Sequence, residues 1–299
     1  MIQFEYFRPK SLEEALSLSA RFGDKGRFMA GGTEVINEIR GGRSKPEQII
    51  DIKQVPGIGA ITPTANGLIL GPLTRIRDIE KSDYLQKYYP ALSNAAGSMA
   101  STQVRNKATV GGNICRASPS ADMIPPLLAL SSTLKIMGIN TEKTVPLNEF
   151  LVGPGRTIIK PGEIMTEIHV PGLPPYSACT YIKLSPRKQM DLAIVGVAIT
   201  ITTDASVSRC SYIKIALGAV SPTAVLAAKA AQLLTGNLLT DAVIAQAADM
   251  AATECKPVTD VRSSDWYRRK MVAVLVKRAI TSSINSIEIT GTPAYGQNN

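Results

Sequence analysis

The feature that most constrains this chain is a segment of small and turn-forming residues at 109–122, with a glycine pair at Gly111 and Gly112. Glycine has no Cβ atom and tolerates positive φ, so consecutive N–H groups at such a pair can face an anion without a clash. Phosphate is the usual anion at a segment of this kind. The alternative interpretation is a tight turn whose glycines serve its geometry alone.

A second glycine pair, Gly31 and Gly32, favours the phosphate interpretation. The residues at 28–36 predict a short strand, a glycine turn and then a helix that Thr33 caps. Such a helix start presents free N–H groups and a positive dipole end to an anion. Two segments of this kind suit a pyrophosphate better than one does.

Composition excludes several classes of protein. The chain has 299 residues, is 44% hydrophobic and contains no apolar run near 18 residues, which predicts a globular protein without a membrane span. No secretory leader pattern stands at residues 1–6, so a cytoplasmic location is expected. The four cysteines are far apart and match neither a metal-binding spacing nor a dense disulfide framework, so we expect free thiols and no metal.

The net charge of +9 does not indicate nucleic-acid binding, because Lys and Arg are scattered and aromatic residues make up only 5% of the chain. The densest basic group is Arg268-Arg269-Lys270 with Lys277-Arg278, on a predicted helix whose other face is apolar. We interpret it as a solvated face or as a surface for an acidic protein partner.

The order of elements predicts three parts. Residues 1–55 form a small α/β unit whose first helix starts with a capping box at 11–14. Residues 56–175 contain an Asn66-Gly67 hairpin turn, helices at 76–85, 91–100 and 122–130, and strands at 134–137 and 163–170. The proline-rich stretch 171–175 ends this second part.

The third part, 176–285, shows strands at 180–184, 193–202 and 212–220, then helices at 223–234, 241–255 and 264–280. This order predicts an α+β domain with a three-stranded antiparallel sheet covered by a helical bundle. Residues 286–299 lack periodicity and are expected to form a flexible tail.

Taken together, the motifs resemble the FAD-binding medium subunit of the molybdenum hydroxylases, the xanthine dehydrogenase and carbon monoxide dehydrogenase family. The resemblance extends to about residue 282 and rests on the segments 30–34, 109–114, 117–122, 163–171, 183–187 and 191–193. It implies an α+β fold: a PCMH-type FAD-binding domain, similar to vanillyl-alcohol oxidase and MurB, made of two α/β subdomains and followed by a small C-terminal domain.

The resemblance also implies which residues bind FAD, and Ser101 is added as a candidate because it lies close to the second glycine pair in sequence. The set is Met29, Ala30, Gly31, Gly32, Thr33, Glu34, Val35, Ile36, Ser101, Thr109, Gly111, Gly112, Asn113, Asp122, Met165 and Lys183. Asp122 could instead cap its helix, Met165 could be a core residue, and Lys183 could be solvated. Arg105 is a further neighbour in sequence, and Met99 stands where some relatives have an aromatic residue beside the flavin.

The only histidine, His169, alternates with apolar residues on a predicted strand, so a structural or surface role is expected. No catalytic side chain and no metal site are therefore predicted, and the flavin carries the chemistry. The resemblance implies an FAD-containing electron-transfer subunit. It takes electrons from a [2Fe-2S] partner subunit and passes them to an external acceptor such as NAD or a quinone or dye, while a molybdopterin subunit hydroxylates the organic substrate.

The complex implied is a dimer of heterotrimers, with molybdopterin and [2Fe-2S] clusters only on the partner subunits. One alternative is a self-sufficient FAD-dependent oxidase or reductase of the same superfamily, which the lack of converging acid/base residues disfavours. Another is an interaction subunit that has lost FAD, which the two intact glycine segments disfavour.

Overall fold

A computed structural model describes residues 3–187 and 190–290 of the chain. They form three consecutive units, each with its own sheet. No helix among these residues is both long and apolar enough to cross a bilayer.

The first unit is a three-stranded parallel sheet with strand order β1-β3-β2. Its strands are β1 (Glu5–Phe7), β2 (Gly26–Met29) and β3 (Gln48–Asp51), and its helices are α1 (Leu12–Phe22) and α2 (Val35–Arg40). Helix α1 begins as the capping box predicts, because the Ser11 hydroxyl accepts a hydrogen bond from the Glu14 N–H. Ala15 and Leu16 bury its inner face against β3.

The second unit is a five-stranded antiparallel sheet with strand order β4-β5-β10-β6-β7, accompanied by a small two-stranded sheet. Its strands are β4 (Ile61–Thr64), β5 (Gly67–Leu70), β6 (Thr133–Met137), β7 (Glu142–Pro146), β8 (Leu151–Gly153), β9 (Arg156–Thr157) and β10 (Ile164–Pro171). Its helices are α3 (Ile76–Lys81), α4 (Asp83–Tyr88), α5 (Pro90–Ser98), α6 (Thr102–Arg105), α7 (Val110–Arg116), α8 (Ile124–Ala129) and α9 (Leu147–Phe150).

Local sequence signals explain two features of this unit. The Asn66-Gly67 pair connects β4 to β5, with Thr64 opposite Gly67, as the hairpin signal predicts. The single helix predicted at 76–85 is instead two helices, because Ser82 is extended and its hydroxyl accepts a hydrogen bond from the Leu85 N–H. A side chain that caps a new helix stops the preceding one.

The third unit is an antiparallel sheet with strand order β11-β12-β13-β14 and three helices. Its strands are β11 (Ser177–Leu184), β12 (Val195–Thr203), β13 (Cys210–Gly218) and β14 (Val225–Leu226), and its helices are α10 (Ala228–Leu234), α11 (Asp241–Glu254) and α12 (Asp265–Thr290). The sheet was predicted with three strands. The fourth lies where a helix at 223–234 was expected, because Val225 and Leu226 pair with the open edge of β13.

The sheet of the third unit is a shared layer. Ile199 and Ile215 face the helices of the third unit. Tyr181, Ala198 and Ala216 face the other way and belong to the core of the second unit. The break at 171–175 thus separates the units in sequence, while the packing joins them.

The structure corrects the predicted start of the C-terminal tail. Helix α12 extends to Thr290, so residues 286–290, predicted as the first part of the tail, are helical. The rest of the predicted tail, 291–299, lies outside the described residues.

Candidate cofactor-binding site

A cleft of about 680 Å³ lies between the first and second units, and a loop of the third unit contributes to its wall. Its volume falls within the range of about 300–1,000 Å³ that is usual for cofactor sites. The two glycine segments are both in its wall. Of the predicted site residues, those that line the cleft are Ala30, Gly31, Gly32, Thr33, Glu34, Val35, Thr109, Gly111, Gly112, Asn113, Asp122 and Met165.

Four predicted site residues stand outside the cleft wall. Met29 and Ile36 pack around Ile49 in a small core beneath the first glycine segment. Ser101 caps α6, where its hydroxyl accepts a hydrogen bond from the Val104 N–H. The fourth is Lys183, which lies behind Asp122.

The first glycine segment, 31–34, presents unused hydrogen-bond donors. Within the described part of the chain, the N–H groups of Gly31, Gly32, Thr33 and Glu34 make no hydrogen bond. Thr33 was expected to cap α2, but the cap position is Glu34 and no side chain caps the helix. A run of free N–H groups before a helix is the donor set that an anionic phosphate needs, so this segment fits the pyrophosphate of FAD.

Two backbone constraints hold the first segment in place. A Cβ atom on Gly31 would lie 2.1 Å from the carbonyl oxygen of Lys107, so only glycine allows these two backbones to approach. Gly32 has φ of +77°, in the left-handed region that favours glycine. The glycine pair therefore sets the direction of the N–H groups that follow.

The second glycine segment is built differently, and the expectation that it also offers free N–H groups is wrong. The Val110 and Gly111 N–H groups donate to the carbonyl oxygens of Thr74 and Pro72. The Gly112 N–H donates to the Thr109 hydroxyl over 3.1 Å, which caps α7. This segment contributes a close surface to the cleft, while its donors stabilise the fold.

Asn113 adds a polar side chain to that surface. Its side-chain oxygen accepts a hydrogen bond from the Met123 N–H over 3.3 Å, and its amide nitrogen lies 3.5 Å from the sulfur of Met99. The segment that follows α7 is thereby held against the wall formed by Met99.

A buried ion pair joins the second and third units at the cleft. The ammonium group of Lys183 on β11 lies 2.9 Å from one carboxylate oxygen of Asp122, and both side chains are almost fully buried. The hydroxyl of Tyr181 donates to the other carboxylate oxygen over 2.9 Å, and Lys183 also donates to the carbonyl oxygen of Ser98. Asp122 thus anchors β11 to the cleft wall and does not cap α8, whose N-cap position is Met123.

Burial dominates the electrostatics of Asp122. Its pKa is raised by desolvation, and the charge and hydrogen bond of Lys183 together with the hydrogen bond from Tyr181 oppose that rise. The pKa of Tyr181 is raised well above its ordinary value by burial and by the neighbouring carboxylate. The tyrosine therefore remains a neutral hydrogen-bond donor at physiological pH.

Arg105, a neighbour in sequence that was weighed as a ligand contact, is a structural residue. It is buried, its Nε donates to Glu80 over 2.8 Å, and its Nη1 donates to the carbonyl oxygens of Met99 and Ala100. It therefore fixes the turn that carries Met99 into the cleft wall.

The predicted site did not include several cleft residues, some of which lie in the segments that carry the family resemblance and others in no motif. They are Arg27, Phe28, Ile52, Pro72, Leu73, Met99, Ala100, Val104, Ala108, Cys115, Arg116, Ser118, Ser120, Ala121, Thr157, Ile159, Glu163, Ile164, Met190, Asp191 and Leu192. Arg116 could have been suspected from its place directly after the second glycine segment. Its guanidinium lies 3.3 Å from Glu34 and 3.4 Å from Glu38, which joins the first unit to the second across the cleft.

The prediction that the basic face of α12 is solvated is wrong for Arg268, which lies at its centre. Arg268 is only 3% exposed, and its guanidinium binds the carbonyl oxygens of Ile194 and Ala219 and the carboxylate of Asp260. Arg269 donates to the carbonyl oxygens of Ala252 and Cys255. Sequence spacing places these side chains on a helix face but gives no information about the loops that cover it.

The remaining titratable groups form no second site in the described residues. All four cysteines are free thiols, and no three His, Cys, Asp or Glu side chains there are placed to hold a metal ion. His169 is partly exposed and pairs with Glu167 on the same strand, with 2.6 Å between the ring nitrogen and the carboxylate.

Comparison with known families gives two matches that together cover most of the chain. The family described as the FAD binding domain in molybdopterin dehydrogenase matches residues 2–173. The family described as the CO dehydrogenase flavoprotein C-terminal domain matches residues 180–283.

Individual relatives agree with these matches. The chain is 32% identical to the carbon monoxide dehydrogenase medium chain of Hydrogenophaga pseudoflava, over 94% of this chain and 97% of that protein. It is 28% identical to the xanthine dehydrogenase FAD-binding subunit of Escherichia coli O157:H7, over 93% and 95% of the two chains.

A solved structure of carbon monoxide dehydrogenase from Hydrogenophaga pseudoflava superimposes with a TM-score of 0.90 at 32% identity, and covers 95% of this chain and 98% of that chain. The family, the fold and the cleft lead to the same assignment. The chain belongs to the FAD-binding medium subunits of the molybdenum hydroxylase family and is an oxidoreductase subunit.

Proposed function

We propose that this chain binds FAD in the cleft and transfers electrons from a [2Fe-2S] partner subunit to an external acceptor such as NAD, a quinone or a dye. The observation that carries the proposal is the run of free N–H groups at 31–34, which faces a cleft of cofactor size in a chain of this family. When bound, FAD accepts two electrons and releases them singly or as a hydride.

Three parts of the cleft support three parts of the cofactor. The first glycine segment supplies backbone donors for the pyrophosphate. Ile52, Leu73 and Met165 offer an apolar surface for the adenine ring. At Met99 and Asp122 the wall suits the flavin ring, and Lys183 behind Asp122 holds that carboxylate in place.

The function also requires partners. The hydroxylation of the organic substrate belongs to a molybdopterin subunit, and the described residues of this chain contain neither a metal-binding cluster nor a triad of catalytic side chains. The relatives carry the names medium chain and FAD-binding subunit, which describe parts of larger complexes. We propose a cytoplasmic dimer of heterotrimers, each with this chain, a [2Fe-2S] subunit and a molybdopterin subunit.

The visible spectrum of the purified chain and its reactions test the proposal. We expect flavin absorption bands, slow NADH-dependent dye reduction by the isolated chain, and hydroxylation of a purine or other heteroaromatic only by the full complex. Hydroxylation by the isolated chain would show instead a self-sufficient flavin enzyme. A chain that binds no FAD even within the complex would refute the proposal at its first step.

A further inference from the structure

Arg116, the last residue of α7, places a positive charge in the wall of the cleft. Within the described part of the chain, the cations of that wall are Arg116 and Arg27. The diphosphate of FAD carries negative charge on both phosphates, and an anion that leaves water for a cleft needs a partner of opposite charge. The free N–H groups at 31–34 supply hydrogen bonds to it but no net charge.

The carboxylates of the wall increase this need. Three of them have a cation partner outside the wall: Asp122 with Lys183, Glu163 with Lys143 and Asp191 with Arg187. The fourth, Glu34, is paired with Arg116. Glu34 is also the last residue of the first glycine segment, so its charge repels a phosphate at that segment unless a cation offsets it.

The contacts that Arg116 makes across the cleft are loose. Its Nε lies 3.3 Å from the Glu34 carboxylate, and its Nη2 lies 3.4 Å from the Glu38 carboxylate. Hydrogen bonds between charged groups are usually about 2.7–2.9 Å long. Arg27, by contrast, contacts Glu38 over 2.5 Å and donates to the Ser44 hydroxyl over 2.6 Å. Arg27 is therefore committed to the first unit, whereas Arg116 is available to a ligand.

The surroundings of Arg116 favour such an exchange of partners. The Glu34 side chain is 54% exposed, so water can solvate its carboxylate when the guanidinium leaves it. On another side, the Gly155 N–H donates to the carbonyl oxygen of Ala117 over 2.9 Å, and a Cβ atom on Gly155 would lie only 3.4 Å from Nη1 of Arg116. The turn between β8 and β9 therefore packs beside the guanidinium and limits its movement away from the cleft.

We propose that Arg116 binds the diphosphate of FAD directly, and that its guanidinium exchanges the Glu34 carboxylate for phosphate oxygens when the cofactor enters. The inference rests on the proposed function, because it takes FAD as the occupant of the cleft. The guanidinium fork matches two phosphate oxygens with two parallel hydrogen bonds. The first wall then supplies neutral donors to the diphosphate, and the second wall supplies the charge.

The dissociation constant of FAD from the full-length chain, measured by flavin fluorescence, tests the proposal. Arg116→Gln should weaken FAD binding about 20-fold with an unchanged circular dichroism spectrum, because it removes a charged hydrogen-bond donor from the diphosphate. Arg116→Lys should weaken binding less, since it keeps the charge and loses only the fork.

Arg156→Gln is the matched control. Arg156 is an exposed residue of β9 outside the cleft wall, and its substitution removes the same charge. It should change the dissociation constant by no more than about twofold, because solvent and salt screen an exposed charge. Equal dissociation constants for the Arg116→Gln and Arg156→Gln chains would overturn the proposal.

Glu34→Gln distinguishes a phosphate contact from an ion pair that merely joins the two walls. It leaves the backbone N–H in place and removes the carboxylate that competes with phosphate for Arg116, so FAD binding should tighten about threefold, as is usual for a partly exposed pair. If the pair instead acted by closing the cleft, removal of either partner would loosen FAD. Weaker FAD binding by the Glu34→Gln chain would therefore contradict the proposal.

The double variant completes the test. In a chain that already carries Glu34→Gln, Arg116→Gln should still weaken FAD binding about 20-fold. If this effect disappears, Arg116 only neutralises Glu34 and does not bind the diphosphate. Failure of the unmodified chain to bind FAD, alone and within the complex, would refute the proposed function itself. Stoichiometric FAD in the unmodified chain, with the same affinity in both Arg116 variants, would refute the role of Arg116 and leave the function standing.

Discussion

The two walls of the cleft each contain a glycine pair, yet they use their backbone donors in different ways. At 31–34 the N–H groups are free, and no side chain caps α2. At 110–113 the corresponding N–H groups donate to Thr109, Pro72 and Thr74.

The difference teaches that a glycine pair indicates close approach, and that its surroundings decide what approaches. Gly31 admits the backbone of Lys107, and the residues after it remain open to a ligand. In the second segment the polar groups are bound by other parts of the protein. Asp122 at its end likewise accepts hydrogen bonds from Tyr181 and Lys183 on β11. Removing a side chain that the second wall uses for its own contacts should therefore affect folding, whereas a side chain added at a glycine that faces the cleft should affect the cofactor.

The largest effect should come from Lys183→Met, which leaves the Asp122 carboxylate buried without its counter-charge. We expect a loss of about 3–5 kcal/mol in the free energy of unfolding. Lys25→Met is the control, because the Lys25–Glu47 pair is exposed on both sides and should contribute at most about 1 kcal/mol. Denaturant unfolding of the flavin-free chains measures both values.

The loss at Lys183→Met should depend on pH. Burial raises the pKa of Asp122, and without Lys183 nothing but Tyr181 opposes the rise. A carboxyl group with a raised pKa in the folded state lowers the stability of the fold as pH rises from its unfolded-state pKa towards its folded-state pKa, since the unfolded chain ionises first. The deficit should therefore be larger at pH 8 than at pH 5, and an equal deficit at both would contradict this electrostatic account.

A smaller effect, on the cofactor alone, is expected for Gly112→Val. A Cβ atom there meets only the Thr109 hydroxyl, at 3.0 Å, and the side chain enters the cleft. FAD affinity should fall about 100-fold, or about 2.7 kcal/mol, with an unchanged circular dichroism spectrum. The FAD affinity of the Gly112→Ala variant should lie between those of the unmodified chain and the valine variant. Stoichiometric FAD in the valine variant would show that the second wall does not contact the cofactor. Gly32 is a poorer test position, because its positive φ adds backbone strain.

The smallest expected effect is a difference in stability between variants of the two threonines that accompany the glycine pairs. Thr109→Val removes the hydroxyl that caps α7 and should cost about 1 kcal/mol of stability. Thr33→Val should change stability by no more than about 0.5 kcal/mol, because Thr33 caps nothing. Thermal unfolding of the flavin-free chains measures both, and equal losses would show that the two walls are built alike.

Local signals predicted much of the fold. Ser11 starts α1, Asn66-Gly67 forms its hairpin, and the proline-rich stretch after β10 marks the boundary before β11. These features depend on neighbouring residues, so they can be inferred from short spacings. The same reasoning placed both glycine segments in one cleft, helped by the family resemblance.

Interactions between distant residues were not predictable in this way. Arg268 is on a helix with basic spacing, but a turn and two carbonyl oxygens from the third unit bury it. The fourth strand of the third unit arose likewise, because the edge of β13 needed a partner.

The sequence by itself determined the α/β start of the chain, the helix caps, the hairpin and the glycine pairs, because each depends on residues within a few positions of one another. Only the tertiary structure decided which glycine segment keeps its donors free and that Lys183 neutralises Asp122. Those outcomes depend on groups that are far apart in the chain, such as Ser98 and Lys183, and meet only when the sheet of the third unit packs on the second. In a buried site the free energy of a polar group is set by the partners that replace water, and folding alone brings those partners together.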